Sequence, residues 1–197
     1  QMCIRDRHYP GMIEWIDADT HGGIKNVNVA TMEFETDLDT FKADAASIVP
    51  GQRAGSIAMA AGVNDGDWCP IKPASMQSKA DENIYVLGDA SMAASMPKSG
   101  FSANSQAKVA ANHIRGSLTG SKIFGARYSN TCWSLVGTND GIKVGASYKA
   151  GDESIEATSK FVSQTDEDSD TRKATYDESV GWYEAVSYTH LTLPTKA

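Results

Sequence analysis

Alternation of hydrophobic and polar residues predicts short strands in the first third of the chain. Residues 25–29 and 31–36 both alternate with a period of two, and their spacing suits a hairpin with a second turn at 37–40. The apolar run 45–49 stops at Pro50-Gly51, which predicts a buried strand ending in a turn. This part of the chain should therefore be mainly β-structure.

The middle of the chain predicts two helices around a strand. Residues 54–61 are small and apolar and suit a short helix that ends before Gly62. Residues 84–87 predict a strand, and residues 99–118 predict a long helix. The expected apolar side of that helix is formed by Ala103, Ala107, Ala110, Ala111 and Ile114.

The last part of the chain changes to longer alternating segments. A turn at 138–141 joins two of them, and the acidic run 166–170 suits a solvated loop or a helix start. Three strands and a final helix are predicted at 132–136, 142–148, 155–161 and 170–183.

Composition narrows the class of protein. The 197 residues are 41% hydrophobic and 22% charged, as in an ordinary globular protein. No apolar run approaches the roughly 20 residues that cross a bilayer. The net charge of -7 argues against a nucleic-acid partner, because phosphates attract basic surfaces. A cationic partner is permitted.

Both ends of the sequence look foreign to the protein. Back-translations of residues 1–7 and 185–197 fit a transposase sequencing adapter, and the core of one is the reverse complement of the other. We expect both segments to be non-native, and they are excluded from fold reasoning. Without them, Cys69 and Cys132 are the remaining cysteines.

Two neighbouring segments carry candidate chemistry. The strand 84–87 runs into Gly88-Asp89, so a carboxylate follows the end of a strand, where ligands bind in open α/β folds. The segment 96–106 combines a proline, a lysine, a capping serine and a glycine before the long helix. Taken alone, the first is better explained as a plain turn, and the second fits an ordinary capped helix start equally well.

Together these segments resemble a known family. Residues 86–90 and 96–108 are similar to the second FAD motif of the flavoprotein subunit of flavocytochrome c sulfide dehydrogenases. Further similar blocks follow in order, so that the resemblance covers about residues 8–184. The more specific of them are Met96-Pro97-Lys98-Ser99-Gly100 and Asn130-Thr131-Cys132.

The resemblance implies a domain organisation of mixed α/β and α+β class. Residues 8–42 would end an NAD-like domain, and residues 43–122 would form the C-terminal part of an FAD-binding domain with a Rossmann-like flavin disulfide reductase fold. Residues 123–184 would form a small α+β C-terminal domain. The dinucleotide-binding turn would lie upstream, and the chain alone would be inactive.

The resemblance also implies an FAD site. Asp89 would hold the ribityl chain, the backbone of 98–101 would meet the isoalloxazine ring, and Trp182 would pack beside the flavin. A helix start at the ring edge would stabilise the charge of the reduced flavin. The implied cofactor-binding residues are Gly88, Asp89, Lys98, Ser99, Gly100, Phe101 and Trp182.

Cys132 is the implied catalytic residue. By resemblance it pairs with an upstream cysteine in a redox disulfide that sulfide attacks, and electrons pass through the flavin to a cytochrome c haem subunit in the periplasm. Judged from its spacing alone, Cys132 is a buried free cysteine. A bridge between Cys69 and Cys132 is disfavoured. No metal site is expected, because the cysteines and histidines lack ligand spacing.

Two other functions compete with this interpretation. A sulfide:quinone oxidoreductase shares the flavin and disulfide chemistry, but it needs an apolar membrane-binding face near its C-terminus. Residues 166–184 are acidic with little apolar stripe, which disfavours it. A non-catalytic domain that docks a basic cytochrome predicts that replacement of Cys132 leaves function intact.

Overall fold

The computed structural model describes the backbone of residues 9–192 and the side chains of residues 9–187. The expected adapter at residues 1–7 and the end of the other one, residues 193–197, lie outside that range. The chain divides into two compact units between Gly51 and Gln52. Within the described part, no helix combines the length and the apolar character needed to cross a membrane.

The first unit is built on a small antiparallel meander. Strand order is β1-β2-β3, and Phe34 in the central strand lies opposite Val27 on one side and Phe41 on the other. Phe34 is buried, so this row of apolar side chains anchors the sheet. The predicted hairpin and second turn are confirmed. The elements are α1 Ala18–His21, β1 Asn26–Asn28, β2 Glu33–Glu35 and β3 Thr40–Lys42.

The predicted strand at 45–49 is wrong. These residues form no strand, and all of them are exposed. An apolar run becomes a buried strand only where neighbouring strands accept its backbone hydrogen bonds. In the described residues no strand pairs with it. The run therefore stays outside the sheet despite its composition.

The second unit carries a three-stranded antiparallel sheet flanked by helices, with strand order β4-β5-β6. The predicted short helix, three C-terminal strands and final helix are confirmed, and most run longer than the patterns indicated. This part of the chain is α+β. The elements are α2 Ser56–Ala60, a 3-10 turn Gly88–Ala90, α3 Gly100–Thr119, β4 Arg127–Gly137, β5 Asp140–Ala150, β6 Ile155–Val162 and α4 Ser169–Thr192.

The two faces of this sheet pack against different elements. Tyr128, Ala146 and Tyr148 share one face, and they join a buried core with Val109 and Ala110 of α3. The other face receives α4. Lys143 of β5 pairs there with Glu178 of α4 at 2.5 Å.

A glycine allows α4 to approach the sheet closely. A Cβ on Gly141 would lie 2.7 Å from the backbone nitrogen of Tyr176. That separation is too short for any side chain, so only glycine lets the helix backbone come so near to β5.

The predicted strand at 84–87 is also wrong as a strand. It is an extended segment with a single antiparallel bridge, Gln77 to Tyr85. Its backbone hydrogen bonds go to a nearby loop, from Val86 to Met76 at 3.0 Å and from Ser78 to Ile84 at 2.7 Å. A parallel strand needs neighbours on its flanks, and the described residues supply none. The Rossmann-like part of the fold therefore stays a prediction.

Helix α3 forms as predicted, but its buried side is more polar than expected. Ala110 is buried, whereas Ala111 and Ile114 are exposed. Ser105 accepts a hydrogen bond from the backbone N–H of Ser129 at 3.0 Å. Polar partners, rather than apolar periodicity, set the orientation of this helix. Its buried residues are Ser102, Ser105, Gln106, Val109, Ala110 and Gly116.

Candidate functional site

The turn at Gly88 and Asp89 is held against α3. Gly88 has a φ of 69°, which favours glycine. Its N–H donates to Oε1 of Gln106 at 2.6 Å, and its carbonyl accepts the hydroxyl of Ser91 at 2.8 Å. Gln106 is only 1% exposed. The turn is thus fixed from the buried side, which leaves the exposed carboxylate of Asp89 at a cavity of about 340 Å³.

The start of α3 presents free backbone donors. Ser99 is the N-cap, and its hydroxyl accepts the N–H of Ser102 at 3.1 Å. The N–H groups of Gly100 and Phe101 have no acceptor within the helix, because they belong to its first turn. A Cβ on Gly100 would meet no atom within 4 Å, so there is room for a ligand here. These features fit the polar edge of a flavin ring.

Lys98 links the Gly88 turn to the start of α3. Its ammonium donates to the backbone carbonyls of Asp89 and Ser91, the latter at 3.1 Å. It also lies 3.6 Å from the centre of the Trp68 ring. Desolvation lowers the pKa of Lys98, and the charges of Asp89 and Cys69 oppose that shift. The Lys98 side chain therefore holds the Gly88 turn next to the start of α3.

Cys69 lies beside Lys98 and is a free thiol. It is completely buried, its N–H donates to the carbonyl of Ala90 at 2.9 Å, and its carbonyl accepts from Met92 at 2.8 Å. Burial raises the pKa of the Cys69 thiol, and Lys98 lowers it by less. Cys69 and Cys132 are both free thiols, so the disfavoured bridge between them is not formed in the structure.

Cys132 differs from Cys69 in its exposure. Its thiol is free and exposed on β4. It opens onto a mainly apolar cavity of about 700 Å³, whose walls include Pro97, Ala146, Tyr148 and Lys160. Burial raises the pKa of Tyr148, and the neighbouring Cys132 raises it further. A nucleophile of small size can reach this sulfur.

Asn130 connects Cys132 to the start of α3. Its Oδ1 lies 2.5 Å from the hydroxyl of Ser99 and 3.1 Å from that of Ser102. Its Nδ2 lies 3.5 Å from the sulfur of Cys132. Asn130 is 3% exposed. The strand that carries the thiol is thereby joined to the N-terminal turn of the helix.

An aromatic cluster lies on the other face of β4. Phe101 is 4.7 Å from Trp182 and 5.6 Å from Trp133, measured between ring centres. Trp133 and Trp182 stack at 6.3 Å. Because successive strand residues point to opposite faces, Trp133 and Cys132 diverge. The structure therefore brings Phe101 and Trp182 together, but on the face of the strand away from the thiol.

Asp89 and Cys132 line different cavities that are linked by shared walls. Lys98 borders both the Asp89 cavity and a neighbouring one of about 400 Å³ that also contains Gly88 and Ser99. Pro97 borders that second cavity and the one at Cys132. The segment before α3 thus lies between the carboxylate and the thiol.

Four residues that sequence reasoning gave no role contribute to this region. Trp68 directly precedes Cys69 in the sequence, and Asn130 stands two residues before Cys132. Ser102 and Gln106 are polar residues on the buried side of α3, and only the structure shows that they are buried. Among residues 9–187, no group of three metal-binding side chains is close enough to hold an ion.

Comparison with known families gives one match. Residues 125–188, about a third of the chain, match the family model described as flavocytochrome c sulphide dehydrogenase, flavin-binding. The matched segment contains β4, β5, β6 and most of α4. It includes Asn130, Cys132 and Trp182 but neither Asp89 nor Lys98. Over residues 125–188 the resemblance is therefore confirmed, and the matching model is one of flavin binding, in agreement with the expected cofactor.

Proposed function

We propose that the chain is part of an FAD-dependent enzyme that oxidises sulfide, because residues 125–188 match the family model described as flavocytochrome c sulphide dehydrogenase, flavin-binding. The observation that carries the proposal is the exposed thiol of Cys132, which opens onto a cavity beside the N-terminal turn of α3. A reactive cysteine needs to be accessible, and the exposed thiol of Cys132 meets that need.

The proposed step is a thiol–disulfide exchange. In the oxidised enzyme, Cys132 forms a disulfide with a cysteine outside this sequence. Hydrosulfide attacks one sulfur of that disulfide, so a new S–S bond forms as the old one breaks. The products are a persulfide on one cysteine and a thiolate on the other. The sulfide sulfur has lost two electrons, and the leaving thiolate holds them.

The residues around the Gly88 turn would hold the cofactor. FAD, when bound, supplies the acceptor for the two electrons on the thiolate. Asp89 would accept hydrogen bonds from the hydroxyls of the ribityl chain, and Gly88 would let the backbone pass close to it. The N–H groups of Gly100 and Phe101 would face the polar edge of the ring and stabilise negative charge on it. Lys98 braces the turn, and Ser99 caps the helix.

The remaining parts of the proposal concern the electron-accepting partner and the cellular location of the enzyme. The family description names a flavocytochrome c, so we propose that electrons leave to a cytochrome c subunit. We place the enzyme in the periplasm, as the resemblance implies. Trp182 packs with Phe101 and supports the end of the helix that faces the ring.

The test measures the reduction of the flavin by sulfide in the complete flavoprotein, monitored as the loss of the absorbance of oxidised flavin. Cys132→Ser should abolish the reduction and leave FAD bound, because the exchange step loses its sulfur. Cys69→Ser is the matched control and should reduce at the normal rate, since Cys69 is fully buried. Reduction of the Cys132→Ser flavin at an unchanged rate contradicts the proposal and favours a non-catalytic docking domain.

A further inference from the structure

The buried amide of Asn130 has its orientation set by two serines. The hydroxyl of Ser99 already accepts the N–H of Ser102, so its own proton must be donated elsewhere. Its nearest acceptor is Oδ1 of Asn130 at 2.5 Å, closer than the Ser102 hydroxyl at 3.2 Å. The Ser102 hydroxyl lies 3.1 Å from the same oxygen. With Oδ1 on the two hydroxyls, Nδ2 must face the sulfur of Cys132.

The opposite orientation of the amide is unfavourable. It would turn a carbonyl oxygen toward the sulfur and an NH₂ group toward Ser99, whose proton would then lose its nearest acceptor and keep only the longer contact to the Ser102 hydroxyl at 3.2 Å. The flip therefore gives up the shorter hydrogen bond in a buried site, where hydrogen bonds are electrostatically stronger than in water. Asn130 is 3% exposed, so water cannot readily replace the missing bond.

We propose that Asn130 is a positioning residue for Cys132: its amide N–H donates to the sulfur and stabilises negative charge there. The inference rests on the proposed function, in which that sulfur becomes a thiolate or attacks as one. A relay of hydrogen bonds runs from the first turn of α3 through the two serines to Asn130 and then to the sulfur. Each bond polarises the next in the same direction. The positive end of the helix thereby acts on an atom outside the helix.

The strand position supports a role beyond packing. Tyr128, Ala146 and Tyr148 occupy the same face of the sheet and belong to its apolar core. An asparagine among them sacrifices apolar burial, and its side-chain amide is not needed for the strand ladder. Its partners are instead the N-cap serine, the next serine on the helix and a thiol.

The test is the alkylation rate of Cys132 in the full chain in its reduced form. Iodoacetamide labelling is quantified by mass spectrometry on the tryptic peptide 128–143, whose single cysteine is Cys132. Asn130→Asp keeps the shape and the acceptor, removes the donor that faces the sulfur and adds a negative charge there, so the uncharged variant Ser102→Ala is measured beside it. We expect a fall of about tenfold near neutral pH, which corresponds to about 1.4 kcal/mol. The profile of rate against pH should move to higher pH by about one unit.

The matched control is Asn139→Asp, in the turn between β4 and β5. It makes the same chemical change within the same peptide, and Asp tolerates the φ of 58° found there. Its alkylation rate should equal that of the wild type. If Asn130→Asp does not fold, Ser102→Ala decides instead, because loss of one hydroxyl frees the amide to turn. We expect it to lower the rate about threefold.

The outcomes separate this inference from the proposed function. An unchanged rate and pH profile in folded Asn130→Asp, or in Ser102→Ala, overturns the positioning role whatever the sulfide assay shows. A slowed rate together with a shifted profile supports the role. If Cys132→Ser then leaves flavin reduction by sulfide unaffected, the proposed function fails while the effect of Asn130 on the thiol stands.

Discussion

The hydrogen bond between Gln106 and Gly88 is the link that holds the Asp89 turn against α3. We consider Gln106→Met, which keeps the length of the side chain and most of its volume but removes the oxygen acceptor. Volume-conserving replacements leave little cavity, so the lost bond should dominate. An unsatisfied buried donor costs about 1–3 kcal/mol. Gly88 is half-buried, so water satisfies its N–H in part, and the loss should be about 1–2 kcal/mol.

Two measurements check this expectation. Urea unfolding should give a lower free energy of unfolding for Gln106→Met, and hydrogen exchange at the Gly88 amide should accelerate because its acceptor is gone. Asn104→Met is the control, since Asn104 is exposed on the same helix. Its effect should stay within about 0.5 kcal/mol. Equal stability of the two variants, with unchanged protection at Gly88, would refute the reasoning.

Three further predictions concern the same unit. Gly88→Ala should destabilise it by about 1–2 kcal/mol in urea unfolding, because a φ of 69° strains alanine; no loss would mean that the turn relaxes. Lys79→Met should return the pKa of Glu153 toward its ordinary value of 4.5, because the side-chain hydrogen bond from Lys79 lowers that pKa. The stability that this hydrogen bond adds to the folded protein is present above pH 4.5 and is lost as the pH falls through the pKa of Glu153 in the folded protein. A carboxyl NMR titration identical in both proteins would contradict this. Cys132→Ser should lower the pKa of Tyr148 only partly, because burial is the larger cause of its rise. The stability linked to this raised pKa is present below pH 10, the ordinary pKa, and is lost as the pH rises through the pKa of Tyr148 in the folded protein. A ring-carbon NMR titration that returns fully to 10, or does not move, would count against that ordering.

The sheet of the second unit was predictable because its signal is local. Alternation along 142–148 marks the face that carries the buried residues Ala146 and Tyr148, and a short turn fixes the pairing of the first two strands. The helix α3 was likewise predictable from its cap at Ser99 and its glycine end at Gly120. Both kinds of signal are contained within a few neighbouring residues.

The errors arose where the structure depends on distant partners. Residues 45–49 and 84–87 are as apolar as many buried strands, but a strand forms only when neighbours accept its backbone groups. The exposed side of α3 carries Ile114, because the buried side is fixed by hydrogen bonds to Gly88 and to Ser129. Periodicity cannot report such bonds.

The candidate site shows the same division. Cys132 and Asp89 could be selected from their motifs. The role of Asn130 depends on its hydrogen bonds to two serines about thirty residues earlier in the chain, which the sequence does not show. Successive side chains of β4 also point to opposite faces of the sheet, so residues adjacent in sequence have different surroundings. Cys132 faces the 700 Å³ cavity, while Trp133 joins Phe101 on the other face.

The central claim is that the flavin ring lies against the thiol of Cys132, and a crystal structure of the complete flavoprotein with FAD tests it most directly. The account predicts the Cys132 sulfur in van der Waals contact with the ring, at about 4 Å, on the face of β4 that bears Asn130. A ring stacked instead on the cluster of Phe101, Trp133 and Trp182, across the strand from the sulfur, would contradict it.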